Sequence, residues 1–363
     1  MSCWRVSKFR LRPIARDSGI ESADMPTPSR RDLLKALTLA SAASALRAQA
    51  PAGRIDVHHH FTPPFYVKAM EKDLAGSGFT ARPWSPALSL EAMDKSGVST
   101  ALLSPVQRLV MDSMSDRSER ARTLARQSNE FGAQVVRDHP RRFGLLAALP
   151  LPDTEGSLRE IEYAYDTLKV DGIALWTSYR DKWPGDPSFD RVWQELNRRQ
   201  AIVFFHPATP SCCRNLIPGL SISGIIEYDL DTARAAESML VNRAPMKFPN
   251  IRFIFSHSGG ALPVLAARII DDLPRDNKEV TAQQVTDAFK KFYYETAHAS
   301  KPAALDALKD VAPVSQILFG SDVPIRPYDL TTAGLDNYSG FSANDWRAIN
   351  RGNAERLWPR FKT

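Results

Sequence analysis

Eight short β-rich runs, separated by longer helix-like stretches, cover the chain from residue 52 onward. Several of these runs are apolar almost throughout, as strands that are covered on both faces must be. Strands that alternate with helices form a parallel sheet, and eight such units predict an α/β fold, the (β/α)8 TIM barrel. The predicted strands are Arg54–His58, Thr100–Ser104, Phe143–Leu149, Gly172–Trp176, Ile202–His206, Arg252–Ser256, Phe292–Thr296 and Gln316–Gly320.

The connections between the strands fit the same architecture. Asp186 and Pro187 are a good N-cap and first-turn pair for the helix that follows them. The connections after the first and fifth strands, residues 61–88 and 207–226, are long. Because loops that follow strands lie over the C-terminal face of a barrel, we expect these two to form lid loops there.

Side chains that bind metals stand at the ends of the strand runs. The C-terminal ends of all barrel strands open on one face, so these distant residues are expected to meet. Residues two apart on a strand point the same way, so His58 and His60 are expected to face the axis while His59 faces outward. Asp56, expected on the side of His58, is either an orienting group or a polar strand-start residue. The candidates are His58, His60, His206, His257 and Asp322.

Three imidazoles and one carboxylate suit one divalent metal ion, with Zn²⁺ favoured and Mn²⁺ or Fe²⁺ as alternatives. An isolated His-x-His pair is a weak signal, and it is the collection of histidines at strand ends that indicates a metal site. His58, His60 and His206 are the predicted nitrogen ligands. Asp322 is predicted to be a close or weak fourth ligand that also moves protons. His257 is predicted to shuttle a proton or polarise the substrate.

Aromatic side chains on the strand-end loops are candidates for holding a flat substrate. Trp84, Trp176 and Tyr179 have such positions, where a ring can be sandwiched between them. Packing of the lid is an equally good role for each of the three. Arg326, four residues after Asp322, can hold a carboxylate through two parallel hydrogen bonds, although most arginines on loops are simply solvated.

Four motifs follow one another between residues 53 and 360: D-V-H-H-H, F-F-H-P, F-S-H-S-G-G and F-G-S-D-V-P. Together they resemble the amidohydrolase superfamily, and more narrowly its branch that holds aminocarboxymuconate-semialdehyde decarboxylase and the salicylate-type decarboxylases. The segments P-P-F-Y, L-P-L-P-D and G-D-P-S-F look most like members of the 6-methylsalicylate decarboxylase type.

This resemblance implies roles for individual residues. The metal ligands that it implies are His58, His60, His206 and Asp322. It assigns proton transfer to His257. Binuclear members of the superfamily carry a carbamylated lysine on the fourth strand, where this chain has no lysine at residues 173–176, so a single metal is expected. His298 departs from the family pattern and is either an additional substrate contact or a loop residue.

Two reactions can share this centre. In hydrolysis of a lactone, amide or ester, the metal lowers the pKa of bound water to about 7 and Asp322 takes the proton. In non-oxidative decarboxylation, a small aromatic or unsaturated acid chelates the metal and Asp322 or His257 protonates the carbon that loses CO₂. The resemblance favours a decarboxylase, a carbon–carbon lyase, over a hydrolase. A non-catalytic exported metal-binding protein is the third alternative.

The N-terminal residues 1–50 are predicted to be a targeting segment, and residues 51–363 the catalytic domain. Nine of the 47 Lys and Arg residues but four of the 41 acidic ones lie in residues 1–50, so the remainder is nearly neutral and unsuited to nucleic acid. Arg30 and Arg31 precede an apolar stretch that is too short to span a bilayer. This order resembles a twin-arginine export signal, which the export machinery reads. Residues 1–24 are expected to be an upstream extension of that signal. We expect a periplasmic protein, cytoplasmic if the signal is not functional, and a homodimer.

Overall fold

The computed structural model describes residues 53–73, 84–105, 119–213, 217 and 223–362. The targeting segment predicted for residues 1–50 lies outside the described residues, as do parts of both predicted lid loops. The barrel belongs to one compact unit, Pro51–Thr363. Among the described residues, no helix combines the length and the apolar character that crossing a membrane requires.

Parallel strands form a barrel in the described part of the chain. The eight strands are β1 (Arg54–Phe61), β2 (Val98–Pro105), β3 (Phe143–Ala148), β4 (Gly172–Trp176), β5 (Ile202–His206), β6 (Arg252–Phe255), β7 (Tyr293–Glu295) and β8 (Ile317–Leu318). They pair in sequence order from β1 to β8. Backbone hydrogen bonds join the two ends, since Val57 N donates to Phe319 O at 3.0 Å and Asp322 N donates to His58 O at 2.8 Å. The predicted (β/α)8 barrel is confirmed.

The strand limits differ most from the prediction at β1, and those of β2, β3, β6, β7 and β8 differ by one or two residues at one or both ends. β4 and β5 have the predicted limits, whereas β1 continues to Phe61 and β8 ends at Leu318. The chain beyond Leu318 still bonds to β1, but Asp322 adopts a left-handed backbone conformation with φ of 68°. A regular ladder cannot continue through that conformation, so the closing contacts come from a loop.

Helices connect the strands, and a C-terminal group follows β8. Asp186 accepts a hydrogen bond from Ser188 N at 2.9 Å, as expected of a cap. It caps the 3₁₀ turn Pro187–Phe189, however, and the helix begins at Asp190.

The helices of the described residues are α1 (Pro64–Asp73), α2 (Pro86–Lys95), α3 (Glu119–Asp138), α4 (Thr154–Tyr163), α5 (Asp190–Arg198), α6 (Glu227–Val241), α7 (Ala244–Lys247), α8 (Leu262–Asp276), α9 (Ala282–Lys291), α10 (Pro302–Val311), α11 (Tyr328–Asp336), α12 (Ala343–Arg347) and α13 (Asn353–Leu357).

Two apolar layers hold the barrel together. The outer layer lies between strands and helices, where Trp193 of α5 packs against Phe205 and Phe253. Full burial of each large apolar side chain contributes about 1.5–3 kcal/mol. Phe204 lies in the inner layer, below the strand ends that carry the polar residues. The inner layer contains Ile55, Val57, Leu102, Leu146, Ala174, Ile202, Phe204, Ile254 and Leu318, with Ala354, Trp358 and Phe361 from the C-terminal segment.

Candidate metal centre

The four predicted metal ligands meet at the C-terminal ends of the barrel strands. His58 Nε2 lies 3.0 Å from His60 Nε2, and Asp322 Oδ1 lies 3.2 Å and 3.0 Å from these two nitrogens. His206, from the end of β5, completes a set whose ligand atoms all lie within 4.8 Å of one another. The structure therefore brings together side chains that are separated by up to 264 positions in a geometry that suits one cation.

A β-bulge in β1 turns the two histidines toward the barrel interior. Asp56 pairs with Ala101 of β2 and His59 pairs with Leu103, so three steps along β1 face two steps along β2. Strict alternation would place His58 opposite to Val57, yet Val57 belongs to the inner layer and the His58 ring lies 5.0 Å from Phe204. The extra residue of the bulge shifts the alternation, so that Val57 and His58, although adjacent, both point inward.

The bulge also determines which way the side chains of Asp56 and His59 point. His59 faces away from the centre, as predicted, and its Nε2 lies 2.8 Å from Ser89 Oγ. The expectation that Asp56 shares the side of His58 is wrong, because its Oδ2 accepts from Ser321 Oγ at 2.6 Å and from Tyr328 OH at 2.8 Å and lies 3.3 Å from His59 Nδ1. Asp56 therefore ties β1 to the loop after β8 and not to the imidazoles of the centre.

Each of the three imidazoles predicted as ligands has a partner at Nδ1, which leaves its Nε2 free to face the centre. His58 Nδ1 lies 2.9 Å from Glu295 Oε1 and His206 Nδ1 lies 3.0 Å from the carbonyl oxygen of Pro207. His60 Nδ1 lies 3.1 Å from Ser104 Oγ. Hydrogen bonds of this kind fix the ring orientation and the tautomer of histidines that bind metals.

Buried charge at the centre fits a cation. Asp322 Oδ1 is buried and, within the described part of the chain, has no hydrogen-bond partner. Burial disfavours the charged form of His58, but the charges of Asp322 and Glu295 outweigh it and raise its pKa to about 10. Burial and the neighbouring imidazoles hold the pKa of His206 well below its usual range. Two carboxylates thus face one cluster of buried imidazoles. A divalent ion would pair with the lone pairs that the imidazoles and Asp322 direct into the centre.

His257 and His298 stand beside this cluster. The ring of His257 is stacked on that of His58 with centroids 5.3 Å apart, and its Nε2 lies 3.7 Å from Asp322 Oδ2. His298, with 41% of its side chain exposed, places Nε2 at 2.8 Å from the same oxygen. Burial raises the pKa of Asp322, but the charge of His58 and the neighbouring imidazoles of His257 and His298 outweigh it and hold the pKa well below its usual range.

The aromatic and arginine candidates separate into two groups. Trp176 lies at the centre, with its ring 5.1 Å from that of His206. Arg326 belongs to the loop that carries Asp322, since its backbone N donates to Asp322 O at 2.9 Å. Trp84 and Tyr179 instead make hydrogen bonds within the protein. Trp84 Nε1 donates to Ser89 Oγ at 2.9 Å, and Tyr179 OH accepts from Trp176 N at 3.0 Å. For Trp84 and Tyr179 a role in substrate binding stays a prediction.

Glu295 is the main residue of the centre that the sequence analysis did not single out. It is fully buried, and besides meeting His58 it accepts from His257 N at 2.7 Å and from Ala297 N at 2.6 Å. Gly320 makes room for it, because a Cβ there would overlap the Glu295 carboxylate. The sequence did carry a signal for Glu295, because it is an acidic residue at the end of the strand-like run F-Y-Y-E. Asp322 was identified from the same kind of position.

Comparisons with known proteins point to one family. The amidohydrolase family model matches residues 55–360. The 6-methylsalicylic acid decarboxylase of Penicillium expansum is 35% identical over 324 residues, which cover 85% of this chain and 97% of that protein. The crystal structure of an amidohydrolase II is 28% identical, covers 84% of this chain and 99% of its own, and has a TM-score of 0.78.

A further solved structure is a dihydroxybenzoic acid decarboxylase from Polaromonas sp. JS666 with bound manganese and the inhibitor 2-nitroresorcinol. It is 23% identical, with a TM-score of 0.73, and the match covers 86% of this chain and 98% of that one. At this identity the likeness concerns the fold. The family match spans nearly the whole described barrel, including all four predicted ligands. This chain belongs to the amidohydrolase family.

Proposed function

We propose that this protein is a metal-dependent, non-oxidative decarboxylase of small aromatic acids of the 2-hydroxybenzoate type. The observation that carries the proposal is the convergence of three imidazole Nε2 atoms and Asp322 Oδ1 at the mouth of the barrel, beside His257. The relative from Penicillium expansum, a 6-methylsalicylic acid decarboxylase, supports this substrate class.

The residues would divide the reaction between them. His58, His60, His206 and Asp322 would hold one divalent ion, which when bound supplies a positive charge for the carboxylate and ortho-hydroxyl oxygens of the acid. Asp322 or His257 would deliver a proton to the ring carbon that carries the carboxylate. The electrons of the breaking carbon–carbon bond then return to the ring, CO₂ leaves, and aromaticity is restored.

Other residues would hold the substrate in place. Trp176 presents its ring beside His206, and its buried Nε1 has no hydrogen-bond partner among the described residues, so it is available to a ligand. Arg326 Nε is likewise buried and unpaired within that part of the chain, and it would meet a carboxylate. His298 is the third polar contact that we propose, since its partly exposed imidazole borders Asp322.

We propose Zn²⁺ as the metal, because three imidazoles and one carboxylate are a donor set that zinc prefers. Mn²⁺ and Fe²⁺ are the alternatives, and the manganese in the Polaromonas structure supports the first of them. Elemental analysis of the protein purified from its native source would decide between the three ions.

The decisive experiment is turnover by protein that has been stripped with a chelator and reloaded with Zn²⁺ or Mn²⁺. A panel of 2-hydroxybenzoates, including 6-methylsalicylate, is incubated in D₂O, and CO₂ release and deuterium at the vacated ring carbon are measured. Turnover of a lactone or amide without CO₂ release would establish the hydrolase alternative and refute the decarboxylase. If no panel compound reacts, the non-catalytic metal-binding alternative is favoured. His206→Ala should lose tight metal binding and turnover, and His139→Ala, which removes a histidine outside the centre, is its matched control.

We also propose that the protein reaches the periplasm by the twin-arginine route. The support is the order of Arg30-Arg31, apolar stretch and small residues within residues 1–50. This route carries folded proteins, which suits a centre whose predicted ligands come from three separate segments and whose metal is acquired on folding.

A further inference from the structure

Asp231 of α6 is a fully buried carboxylate to which the proposed reaction assigns no role. Its Oδ2 accepts hydrogen bonds from Thr177 Oγ1 at 2.5 Å and from Ser178 Oγ at 2.8 Å, and its Oδ1 accepts one from Trp183 Nε1 at 2.8 Å. Burial raises the pKa of Asp231, and these three hydrogen bonds limit the rise because they favour the charged form. Asp231 therefore binds the loop that follows β4 through three donors.

The hydroxyl of Thr177 connects this carboxylate to the backbone after β5. Thr177 Oγ1 accepts from Ala208 N at 2.8 Å. Since a carboxylate only accepts, the single hydroxyl hydrogen of Thr177 points to Asp231, and a lone pair of the same oxygen is left for Ala208 N. Thr177 N also donates to His206 O at 3.0 Å. Thr177 is thus bonded to the backbone on both sides of Pro207.

One peptide unit joins this contact to the imidazole of His206. Its N–H belongs to Ala208, and its carbonyl oxygen, that of Pro207, lies 3.0 Å from His206 Nδ1. Because a carbonyl oxygen only accepts, Nδ1 carries the hydrogen and Nε2 presents its lone pair to the centre. A continuous path therefore leads from the carboxylate of Asp231, through the Thr177 hydroxyl and this peptide unit, to His206.

We propose that Asp231 is a positioning residue for His206, which acts through the Thr177 hydroxyl and the peptide unit between Pro207 and Ala208. The inference rests on the proposed role of His206 as a metal ligand. Hydrogen bonds that form a chain polarise one another. The charge of Asp231 makes the Thr177 oxygen a better acceptor, and the polarised peptide unit then accepts more strongly from Nδ1. A stronger partner at Nδ1 fixes the ring and makes Nε2 a better donor to the metal.

His58 and His206 thus reach a carboxylate by different routes. His58 Nδ1 lies 2.9 Å from Glu295 Oε1, which is a direct contact. A direct partner of this kind is typically worth about 10–100-fold in metal affinity. Because a hydroxyl and a peptide unit intervene between Asp231 and His206, we expect the loss on cutting this path to lie near the lower figure, about tenfold.

The test measures metal affinity and needs no substrate, so its failure is distinct from failure of the proposed decarboxylation. Chelator-stripped protein is titrated with Mn²⁺ in competition with a chelator of known affinity. Thr177→Val keeps the shape but removes the hydroxyl, and should bind Mn²⁺ about tenfold more weakly. Thr177→Ser should restore the wild-type affinity to within about twofold. Ser178→Ala removes a bond to the same carboxylate oxygen outside the path, and as the matched control it should also stay within about twofold.

Asp231→Asn tests whether the carboxylate acts through Thr177. Asn keeps an oxygen for the hydroxyl and loses the charge, so Mn²⁺ binding should weaken by about three- to tenfold. In a Thr177→Val background the same change should have no further effect, because the path is already cut. A residue that only supports folding would not show this dependence.

A proton signal reports on the same path without any affinity measurement. In Zn²⁺-loaded protein with isotope-labelled histidine, the Nδ1–H proton of His206 is observed by nuclear magnetic resonance and assigned by its absence in His206→Ala. The signal should move upfield in Thr177→Val and in Asp231→Asn, since a weaker hydrogen bond leaves the proton more shielded. It should keep its position in Ser178→Ala.

Three results would overturn the proposal. If Thr177→Val binds Mn²⁺ as tightly as Ser178→Ala, or if Thr177→Ser binds as weakly as Thr177→Val, the hydroxyl does not transmit the effect. If Asp231→Asn weakens binding equally with and without the Thr177 hydroxyl, the carboxylate acts by another route, such as Trp183. Circular dichroism shows whether each variant is folded. If Thr177→Val is not, Asp231→Asn is compared with Ser178→Ala, and equal affinities again refute the proposal.

Discussion

Replacing Glu295 by Gln should weaken metal binding although Glu295 is not placed among the ligands. Its Oε1 faces His58 Nδ1 at 2.9 Å and accepts from His257 N at 2.7 Å, while Oε2 accepts from Ala297 N at 2.6 Å. Gln keeps the shape but loses the negative charge that makes His58 a stronger donor. Loss of such a partner typically lowers metal affinity about 10–100-fold, roughly 1.4–2.7 kcal/mol.

The same substitution should lower stability for a separate reason. The amide nitrogen of Gln would face Ala297 N, so two donors would meet where a donor and an acceptor meet now. An unsatisfied buried donor costs about 1–3 kcal/mol, to be measured as the free energy of unfolding of the metal-free protein. Metal affinity is measured separately, by titration of metal-free protein with Mn²⁺ in competition with a chelator of known affinity.

Glu160→Gln is the matched control. Glu160 of α4 is also buried, and it accepts from Asn129 Nδ2 and Arg126 Nε, each at 2.8 Å, in a network separate from the metal centre. This variant should lose stability and keep the metal affinity of the wild type. If Glu295→Gln binds metal within about twofold of the wild type, the inference that its charge strengthens His58 is refuted, because the expected loss is at least about tenfold.

Three further predictions concern Asp322, His58 and the paired arginines Arg30 and Arg31. Asp322→Asn should lower the rate of CO₂ release at least about 100-fold, measured with saturating metal, and an unchanged rate would exclude Asp322 as the proton carrier. Because the pKa of His58 is raised from 6.5 to about 10, its contribution to stability is complete below pH 6.5 and lost as the pH rises through about 10. The melting temperature of the metal-free protein should therefore fall across that range, and that of the metal-loaded protein should not, since metal binding displaces the proton. Changing Arg30 and Arg31 to Lys should trap the protein in the cytoplasm, and an unchanged periplasmic yield in cell fractionation would contradict the twin-arginine route.

The sequence predicted the barrel and the ligands because both depend on local patterns. The limits of β4 and β5 follow from apolar runs, and His206 is visible at the end of one of them. The bulge in β1 was not predictable, because it arises from the register between β1 and β2, which are far apart in sequence. As a result the alternation predicted for His58, His59 and His60 is correct, whereas its extension back to Asp56 is wrong.

Residues whose roles depend on distant partners were the ones left undecided. Trp84 and Trp176 are both aromatic residues near strand ends, and the sequence alone treats them alike. The structure gives Trp84 a partner on α2, Ser89, and places Trp176 against His206. Glu295 was missed because a single carboxylate at a strand end acquires meaning only when His58, 237 positions earlier, is brought to it.

Asp322 joins the closure of the barrel to the chemistry of the centre. Its backbone N donates to His58 O across the barrel seam, and its carboxylate faces the histidines on both sides. Since its φ is 68°, Ala at this position would add left-handed strain to the loss of the carboxylate, and the two effects on activity could not be separated. Asn tolerates this conformation and has the same shape, so Asp322→Asn changes the charge and the proton while the seam is retained. A loss of activity in that variant, with the melting temperature unchanged, therefore reports on the chemistry and not on the fold.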